Sequence, residues 1–277
     1  MKFLGVVAEQ GAVDTFSRIM EMVSHLCKER VTLRITNDAM IFINAGFARS
    51  NGIFMQISLV VQEFFSTFTM AGVSEEFNEI CMEFDKDYLF RSINPKERAT
   101  KIRLTKIGNI PHIKVEQKTS AIVHEMPVDL IPIRQWKHYA MPAIDDVKIA
   151  IYLPPIGAIR SLISTIKNMG MKFLTIRANQ RGELHLVGDM DVVQVGIHLS
   201  RLTCPRLDNA GDGDEGNAST FYEVCVDIRS VHSLLRSLPP NFTMSRILLR
   251  IVPGKMAVFS IEQEEASLTY IAGGVVA

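Results

Sequence analysis

The second half of this chain repeats the first half. The run 77–93 reads FNEICMEFDKDYLFRSI, and the run 221–238 reads FYEVCVDIRSVHSLLRSL. Both runs open with Phe-x-Glu-x-Cys and close with Arg-Ser followed by an aliphatic residue. Upstream, Thr-Leu-Arg at 32–34 corresponds to Thr-Ile-Arg at 175–177 in the same order. A repeat this long is a domain rather than a solenoid unit of ~20–50 residues, so the sequence predicts two copies of one domain.

Composition restricts the classes of partner and compartment. The chain has 277 residues, with 30 basic and 30 acidic side chains, so no strong overall field attracts DNA or a membrane, and DNA contact requires a local patch. The opening run Met1 to Val7 is too short, and too soon interrupted by Glu9 and Asp14, for a signal peptide, and no segment of ~18 apolar residues occurs. Four widely spaced cysteines without a CxxC motif indicate buried thiols in a reducing, intracellular compartment.

The hydrophobic pattern predicts the same order of elements in each half. Apolar periodicity predicts helices at 12–29, 85–93, 155–169 and 229–238, and β-type runs fill most of the remaining chain. Both helices of a half must bury one stripe, so we expect an α+β unit with two helices on one face of a mainly antiparallel sheet. The expected domains are 1–126 and 147–277, joined by a proline-bearing connector at 127–146.

No pattern in the sequence indicates catalysis, a cofactor or a metal. Gly211, Gly213 and Gly216 match GxGxxG, but the acidic residues among them would repel a pyrophosphate, and a surface loop is the better interpretation. The histidines lack metal-ligand spacing, and no P-loop or GxSxG motif occurs. We therefore predict a chain that is not an enzyme.

Basic side chains occupy the predicted outer faces of all four helices. On the helix at 229–238 the apolar residues fall on the side opposite the cations, so the cations face away from the core. A charged outer face can be merely solvated, yet four such helices in two repeats favour one surface that contacts phosphate. The predicted DNA-facing residues are Arg18, His25, Lys28, Lys86, Arg91, Arg160, Lys167, Arg229 and Arg236.

Over nearly its full length the chain resembles the Hus-one (hydroxyurea-sensitive one) checkpoint family of DNA sliding clamps. The resemblance is carried by the opening Met-Lys-Phe and by Phe-Thr-Met-Ala-Gly-Val-Ser at 68–74 with Asn-Glu-Ile at 78–80. Further matches are Ile131-Pro132 to Trp136-Lys137, Ile-Tyr-Leu-Pro at 151–154, Gly-Glu-Leu at 182–184, Val-Asp-Ile-Arg at 226–229 and Ser-Leu-Thr-Tyr at 267–270.

This resemblance implies the sliding-clamp fold, similar to that of proliferating cell nuclear antigen, and membership of the nine-one-one complex. In that heterotrimer the partners would be the Rad-nine and Rad-one clamp subunits. A clamp loader would place the ring around double-stranded DNA, independently of sequence, to support DNA damage checkpoint signalling and repair proteins. The expected location is the nucleus, with a cytoplasmic pool before assembly and no membrane contact. The alternatives are a homotrimeric replicative processivity clamp and, less favoured for want of a carboxylate cluster, a nuclease.

The resemblance also suggests two surfaces for protein partners. Apolar bulk in the connector borders the position where clamps accept client peptides, so we expect a partner groove formed by Leu130, Ile131, Ile133, Trp136, Tyr270 and Ile271. A sheet edge at 107–117, or the corresponding strand of the second half, is expected to pair with a neighbouring subunit.

Overall fold

The structure is a computed structural model that describes residues 1–44, 52–190, 193–206, 218–239 and 246–275. The chain forms two compact units. The first contains residues 1–44, 55–141 and 263–267, and the second contains the described residues of 142–262 together with 52–54 and 268–275. Among the described residues, no helix has both the length and the apolar character needed to cross a membrane.

The first unit contains two antiparallel sheets and three α-helices. Its elements are β1 Lys2–Val7, α1 Gln10–Leu26, β2 Arg30–Ile35, β3 Ala39–Asn44, β4 Ile53–Val60, α2 Val61–Phe64, β5 Thr67–Ala71, β6 Ile80–Asp85, α3 Lys86–Ser92, β7 Thr100–Ile107, β8 Ile110–Gln117, β9 Val123–Pro127 and β10 Asp129–Leu130, followed by a 3-10 helix at Ile133–Tyr139. One sheet has the strand order β5-β1-β7-β8-β9, and the other places β10, β6, β2, β3 and β4 side by side.

The edge strand of the first sheet differs from the expectation. The segment 107–117 was expected at the edge, but β8 pairs on one side with β7 and on the other with β9. The edge is therefore β9. The cause is that the chain turns back after Gln117, whose N–H donates to the carbonyl of Ile122 at 2.9 Å, and covers β8 with one further strand.

The described part of the second unit repeats this plan. Its elements are β11 Ile149–Tyr152, α4 Ile156–Asn168, β12 Phe173–Ala178, β13 Leu184–Met190, β14 Val193–Leu199, β15 Tyr222–Asp227, α5 Ile228–Ser237, β16 Ile247–Val252, β17 Met256–Glu262 and β18 Ala266–Gly273. One sheet has the order β14-β13-β12-β15, which is the counterpart of β4-β3-β2-β6 in the first unit. Strands β18, β17, β16 and β11 lie side by side in that order.

The structure confirms the repeat but shifts its register by two residues. Asp85 and Asp227 are equivalent, because each ends the strand before a helix and accepts a hydrogen bond from the backbone N–H two residues later. This equivalence matches Glu83 with Cys225, whereas the sequence match paired Cys81 with Cys225. A shift of two residues keeps every side chain on the same face of a strand, so the sequence pattern survives it.

Apolar stripes on the helices form the cores as expected. On α1, Phe16, Met20 and Val23 are at most 3% exposed, and on α5 Leu234 and Leu235 are at most 1% exposed. Burial of side chains this large contributes about 1.5–3 kcal/mol each. Fixing one face of each helix in the core leaves the opposite face, which carries the cations, available to solvent.

Candidate nucleic-acid interface

Within the first unit, Lys86 joins α3 to the end of α1. Its Nζ donates to the carbonyl of Ser24 at 2.8 Å and to that of Cys27, the C-terminal cap of α1, at 2.9 Å. The last carbonyls of a helix have no partner within the helix and lie at the negative end of its dipole, so a cation there is stabilising. Lys86 therefore holds two helices together, and two of its three N–H donors are occupied.

Within the second unit, Arg160 makes the equivalent contact in the opposite direction. Its Nε donates to the carbonyl of Leu235 at 2.9 Å, and its Nη2 donates to that of Leu238 at 2.7 Å. Leu238 is the C-terminal cap of α5, whereas Arg160 belongs to α4. Lys86 and Arg160, both predicted to face DNA, thus have a structural role in their helix pairs.

A group of basic side chains lies where α4 meets α5, and we call Lys167, His232 and Arg236 the α4–α5 basic cluster. Lys167 Nζ is 3.5 Å from Nδ1 of His232, and Arg236 follows His232 by one helical turn. The structure shows no ion pair for Lys167 or Arg236 among the described residues. Like charges held together without an acidic partner create a positive surface suited to phosphate.

The charges of this cluster act on His232. Partial burial, together with the positive charges of Lys167 and Arg236, lowers the pKa of His232 below its ordinary value. His232 is therefore mainly neutral at neutral pH, while a bound phosphate would favour its protonated form. His232 was absent from the predicted contact residues, because its distance from Lys167 depends on how two separate helices pack.

Two of the predicted cations lie in exposed ion pairs on their own helices. Arg229 binds Asp227, with Nη2 2.6 Å from Oδ2, and the arginine side chain remains 75% exposed. Arg18 binds Asp14 at 2.7 Å across one turn of α1. Exposed pairs of this kind contribute little to stability, so either guanidinium can exchange its carboxylate for a phosphate at small cost.

The other predicted cations of the first unit are exposed, but one of them lies outside a helix. Helix α1 was expected to extend to residue 29, yet it ends at Leu26, so Lys28 follows the helix. The helix stops because Cys27 adopts an extended backbone while its N–H still bonds to the carbonyl of Val23. His25 lies in the last turn of α1 and Arg91 in that of α3.

The connector places an aromatic side chain against the loop between β5 and β6. The Trp136 ring meets Phe77 edge-to-face with centroids 6.3 Å apart, and its Nε1 donates to the carbonyl of Ile131 at 2.9 Å. Phe77 is 37% exposed, and Val73 in the same loop is 44% exposed. We call Val73, Phe77, Ile133 and Trp136 the connector surface. Phe77 and Val73 were not predicted, although both are apolar residues within a polar loop.

Burial removes three of the predicted groove residues from any surface. Tyr270 is 1% exposed and Ile271 is fully buried, and the Tyr270 hydroxyl donates to the carbonyl of Ser230 at 3.0 Å inside the second unit. Ile131 is 8% exposed, and its N–H donates to the carbonyl of Cys81 at 2.8 Å. These side chains hold the fold together, whereas Leu130 and Ile133 remain partly exposed.

The comparisons with known proteins agree with this architecture. The family described as "Hus1-like protein" matches residues 1–276. The chain is 31% identical to "Checkpoint protein HUS1" of Homo sapiens over 98% of both chains. It is 21% identical to "Checkpoint protein Hus1-like" of Drosophila melanogaster over 84% of this chain and 92% of that protein.

Solved structures of proliferating cell nuclear antigen share the fold. The antigen of Entamoeba histolytica has a TM-score of 0.69 at 10% identity, covering 99% of both chains. That of Thermococcus kodakaraensis has a TM-score of 0.68 at 11% identity, covering 99% of this chain and 100% of the other. The predicted sliding-clamp fold is thereby confirmed, and the match over almost every residue establishes that this chain belongs to the Hus1-like protein family.

Proposed function

We propose that this chain is one subunit of a heterotrimeric ring that encircles DNA at damage sites or recessed junctions and acts as a scaffold for checkpoint kinase signalling and repair. The observation that carries the proposal is the full-length family match on a sliding-clamp fold. The role is that of a scaffold rather than an enzyme. In this role residues 127–146 serve as the connector between the two clamp domains.

The basic helix faces suit DNA that is held by topology. A closed ring retains its DNA without tight binding, so contacts with phosphate need only be weak and independent of sequence. The α4–α5 basic cluster and the exposed Arg229 offer such contacts. A formal net charge of zero for the whole chain is compatible with this role, because only the local face meets the DNA.

Edge strands provide the means of joining other subunits. In β9 alternate residues direct their backbone polar groups away from β8, towards the free edge. Pro127 occupies one of these outward positions and has no N–H to donate there. Ile122 and Val123 beside this edge are 47% and 49% exposed. An exposed strand edge with apolar flanks favours pairing with another chain. In the second unit, β14 lies at the edge of its sheet.

The proposed partners are the Rad-nine and Rad-one clamp subunits, a clamp loader, and repair and checkpoint proteins. Assembly on DNA places the working complex in the nucleus, after a cytoplasmic stage before assembly. Co-expression with both clamp subunits, followed by native mass spectrometry, tests the proposal. We expect a 1:1:1 complex, whereas a stable homotrimer of this chain alone would favour a homotrimeric processivity clamp and overturn it.

A pair of matched variants tests whether the β9 edge is used in assembly. Val123→Lys places a charge on β9, so we expect it to reduce recovery of the complex by disfavouring strand pairing. Ile110→Lys changes an equally apolar residue that is 56% exposed at the β7–β8 hairpin and is not part of β9, so we expect normal recovery. Equal recovery of both variants would show that β9 is not used for assembly.

A further inference from the structure

A cavity in the second unit has a chemistry that neither the helix faces nor the strand edges explain. It has a volume of about 310 Å³ and lies beside the end of β11 and the entry to α4. Ligand sites commonly span ~300–1,000 Å³, so this cavity has room for one or two side chains of a peptide. All of its lining residues belong to the second unit.

The charged residues in the described lining of the cavity are all basic. Arg201 and Arg246 line it, and none of its described lining residues is acidic. Neither arginine forms an ion pair with another described residue. Both are exposed, so their guanidinium groups can meet a ligand without breaking an existing contact.

Local structure holds both arginines in place. The guanidinium carbon of Arg246 lies 5.8 Å from the centre of the Tyr152 ring, a cation–π distance that leaves the N–H groups at the rim of the guanidinium available. Arg201 has φ of 61°, a left-handed conformation that residues with a side chain rarely adopt. The next residue, Leu202, is fixed by an N–H bond to the carbonyl of Gly182 at 3.0 Å.

The remaining walls are apolar. Pro154, Ile156 and Leu202 contribute to the lining, and Leu153 is tied to β16 by an N–H bond to the carbonyl of Ile247 at 2.8 Å. DNA phosphates need cations but gain nothing from aliphatic walls, whereas a peptide uses both. The combination therefore favours a peptide over a nucleic acid.

The entry to the first helix differs in charge between the two units. Glu9 precedes α1, where Pro155 precedes α4, so an acidic side chain stands at the first helix entry. There Gln10 Nε2 donates to the carbonyl of Pro95 at 2.6 Å. The helix entry of the first unit is therefore less suited to an acidic ligand than that of the second unit.

We propose that this cavity binds an acidic peptide segment of a partner protein. An aspartate or glutamate carboxylate of the peptide meets Arg201 and Arg246, and an adjacent apolar side chain packs against Pro154 and Ile156. Planar guanidinium groups bind carboxylates through paired charge-assisted hydrogen bonds, which explains why arginine occurs at both positions. The site is distinct from the connector surface and does not require the ring or DNA.

The test uses the purified full chain and a fluorescein-labelled peptide of alternating Asp and Leu residues, measured by fluorescence anisotropy. The control peptide replaces every Asp with Asn, which preserves shape and removes charge. We expect the Asn peptide to bind at least about tenfold more weakly, because charge-assisted hydrogen bonds are about twice as strong as neutral ones. Equal binding of the two peptides would overturn the proposal.

Three variants separate this site from general attraction to positive charge. Arg201→Gln and Arg246→Gln should each weaken binding of the Asp peptide by about tenfold. Arg181→Gln removes an exposed arginine of the same unit outside the cavity and should leave binding unchanged. The proposal is wrong if all three variants bind alike. It is equally wrong if the first two weaken binding of short duplex DNA while leaving peptide binding intact, since the cavity would then be a DNA contact.

Discussion

The ammonium group of Lys86 lies 2.9 Å from the carbonyl oxygen of Cys27 and closes the C-terminal end of α1 from the neighbouring helix. Arg160 does the same for α5 through Leu235 and Leu238. In both units the cation binds the cap carbonyl and the carbonyl three residues earlier. In each repeat, therefore, a cation from one helix donates hydrogen bonds to the C-terminal carbonyls of the other helix.

Arg160→Met should destabilise the second unit. The substitution keeps most of the aliphatic stem but leaves two carbonyls without their donor, at a cost of about 1–3 kcal/mol. Urea unfolding should show a lower midpoint. Arg181→Met is the matched control, because it removes an exposed arginine and should change the free energy of unfolding by no more than about 0.5 kcal/mol. Equal midpoints for the two variants would contradict this role.

Neutralising Lys167 and Arg236, together with the exposed but ion-paired Arg229, should weaken DNA binding without unfolding the protein. We expect Lys167→Gln, Arg229→Gln and Arg236→Gln together to reduce DNA binding by the assembled ring. The slope of log K against log salt should fall by about 0.9 for each phosphate that the variant no longer neutralises. Arg160 is left intact because its replacement would also disturb the fold. Unchanged binding and slope in an intact complex would reject this face.

DNA binding should depend on pH through His232. Nearby cations hold the pKa of His232 below its ordinary value in the free protein, and a phosphate would raise it. Binding of DNA then takes up a proton, so affinity should rise as pH falls through the pKa of His232 in the complex and level off below its lowered pKa in the free protein. His232→Gln should flatten that part of the profile. A profile identical to that of the wild type would show that His232 does not face the DNA.

In the free protein, acid should lower the contribution of His232 to stability. Because the folded state lowers the pKa of His232, the unfolded state binds its proton more readily. The contribution of His232 to stability is complete above the unfolded pKa of roughly 6.5 and decreases as pH falls through it. His232→Gln should remove this component of the acid destabilisation, measured as the urea midpoint against pH.

Trp136→Ala should weaken binding of client peptides and leave ring assembly intact. The substitution removes the ring that meets Phe77 and the Nε1 bond to Ile131. A labelled peptide from a repair enzyme that co-purifies with the ring provides the measurement. Tyr88→Ala is the control, since Tyr88 is another exposed aromatic residue, 53% exposed, and belongs to α3 rather than to the connector. Loss of folding in Trp136→Ala would mean that the residue only fixes the connector to the sheet.

The buried thiols should resist alkylation in the native protein. Burial raises the pKa of Cys27 to about 12 and that of Cys81 to about 11, so neither forms much thiolate near pH 8. Cys204 and Cys225 are partly exposed and should react with iodoacetamide before the two buried thiols. Mass spectrometry of the labelled protein should show Cys27 and Cys81 modified only after unfolding. Rapid labelling of Cys27 in the folded protein would contradict its burial.

Local sequence patterns were sufficient to predict the apolar helices and the order of the repeat. The apolar stripes that predicted α1 and α5 are the ones that are buried, because helical periodicity is a property of consecutive residues. The repeat was correct in order and wrong by two residues at β6 and β15, because side-chain alternation fixes the face of a strand and leaves such shifts undetected.

Contacts between distant residues could not be predicted. Lys86 and Arg160 looked like outward cations, yet each reaches the end of a neighbouring helix, and Tyr270 looked like a surface aromatic residue but lies in a core. The predicted edge at 107–117 is also covered, because the chain turns back after β8 and adds β9 beside it.

Three properties could be predicted from the identity and spacing of residues along the chain: the two copies of one α+β unit, the apolar faces of the helices, and the similarity to the checkpoint clamps. Three others required the folded structure: which cations lack a protein partner, which aromatic side chains are exposed, and that Arg201 and Arg246 line one cavity. Hydrogen bonding and burial depend on distances between segments that are far apart in the chain, and side-chain periodicity does not encode those distances.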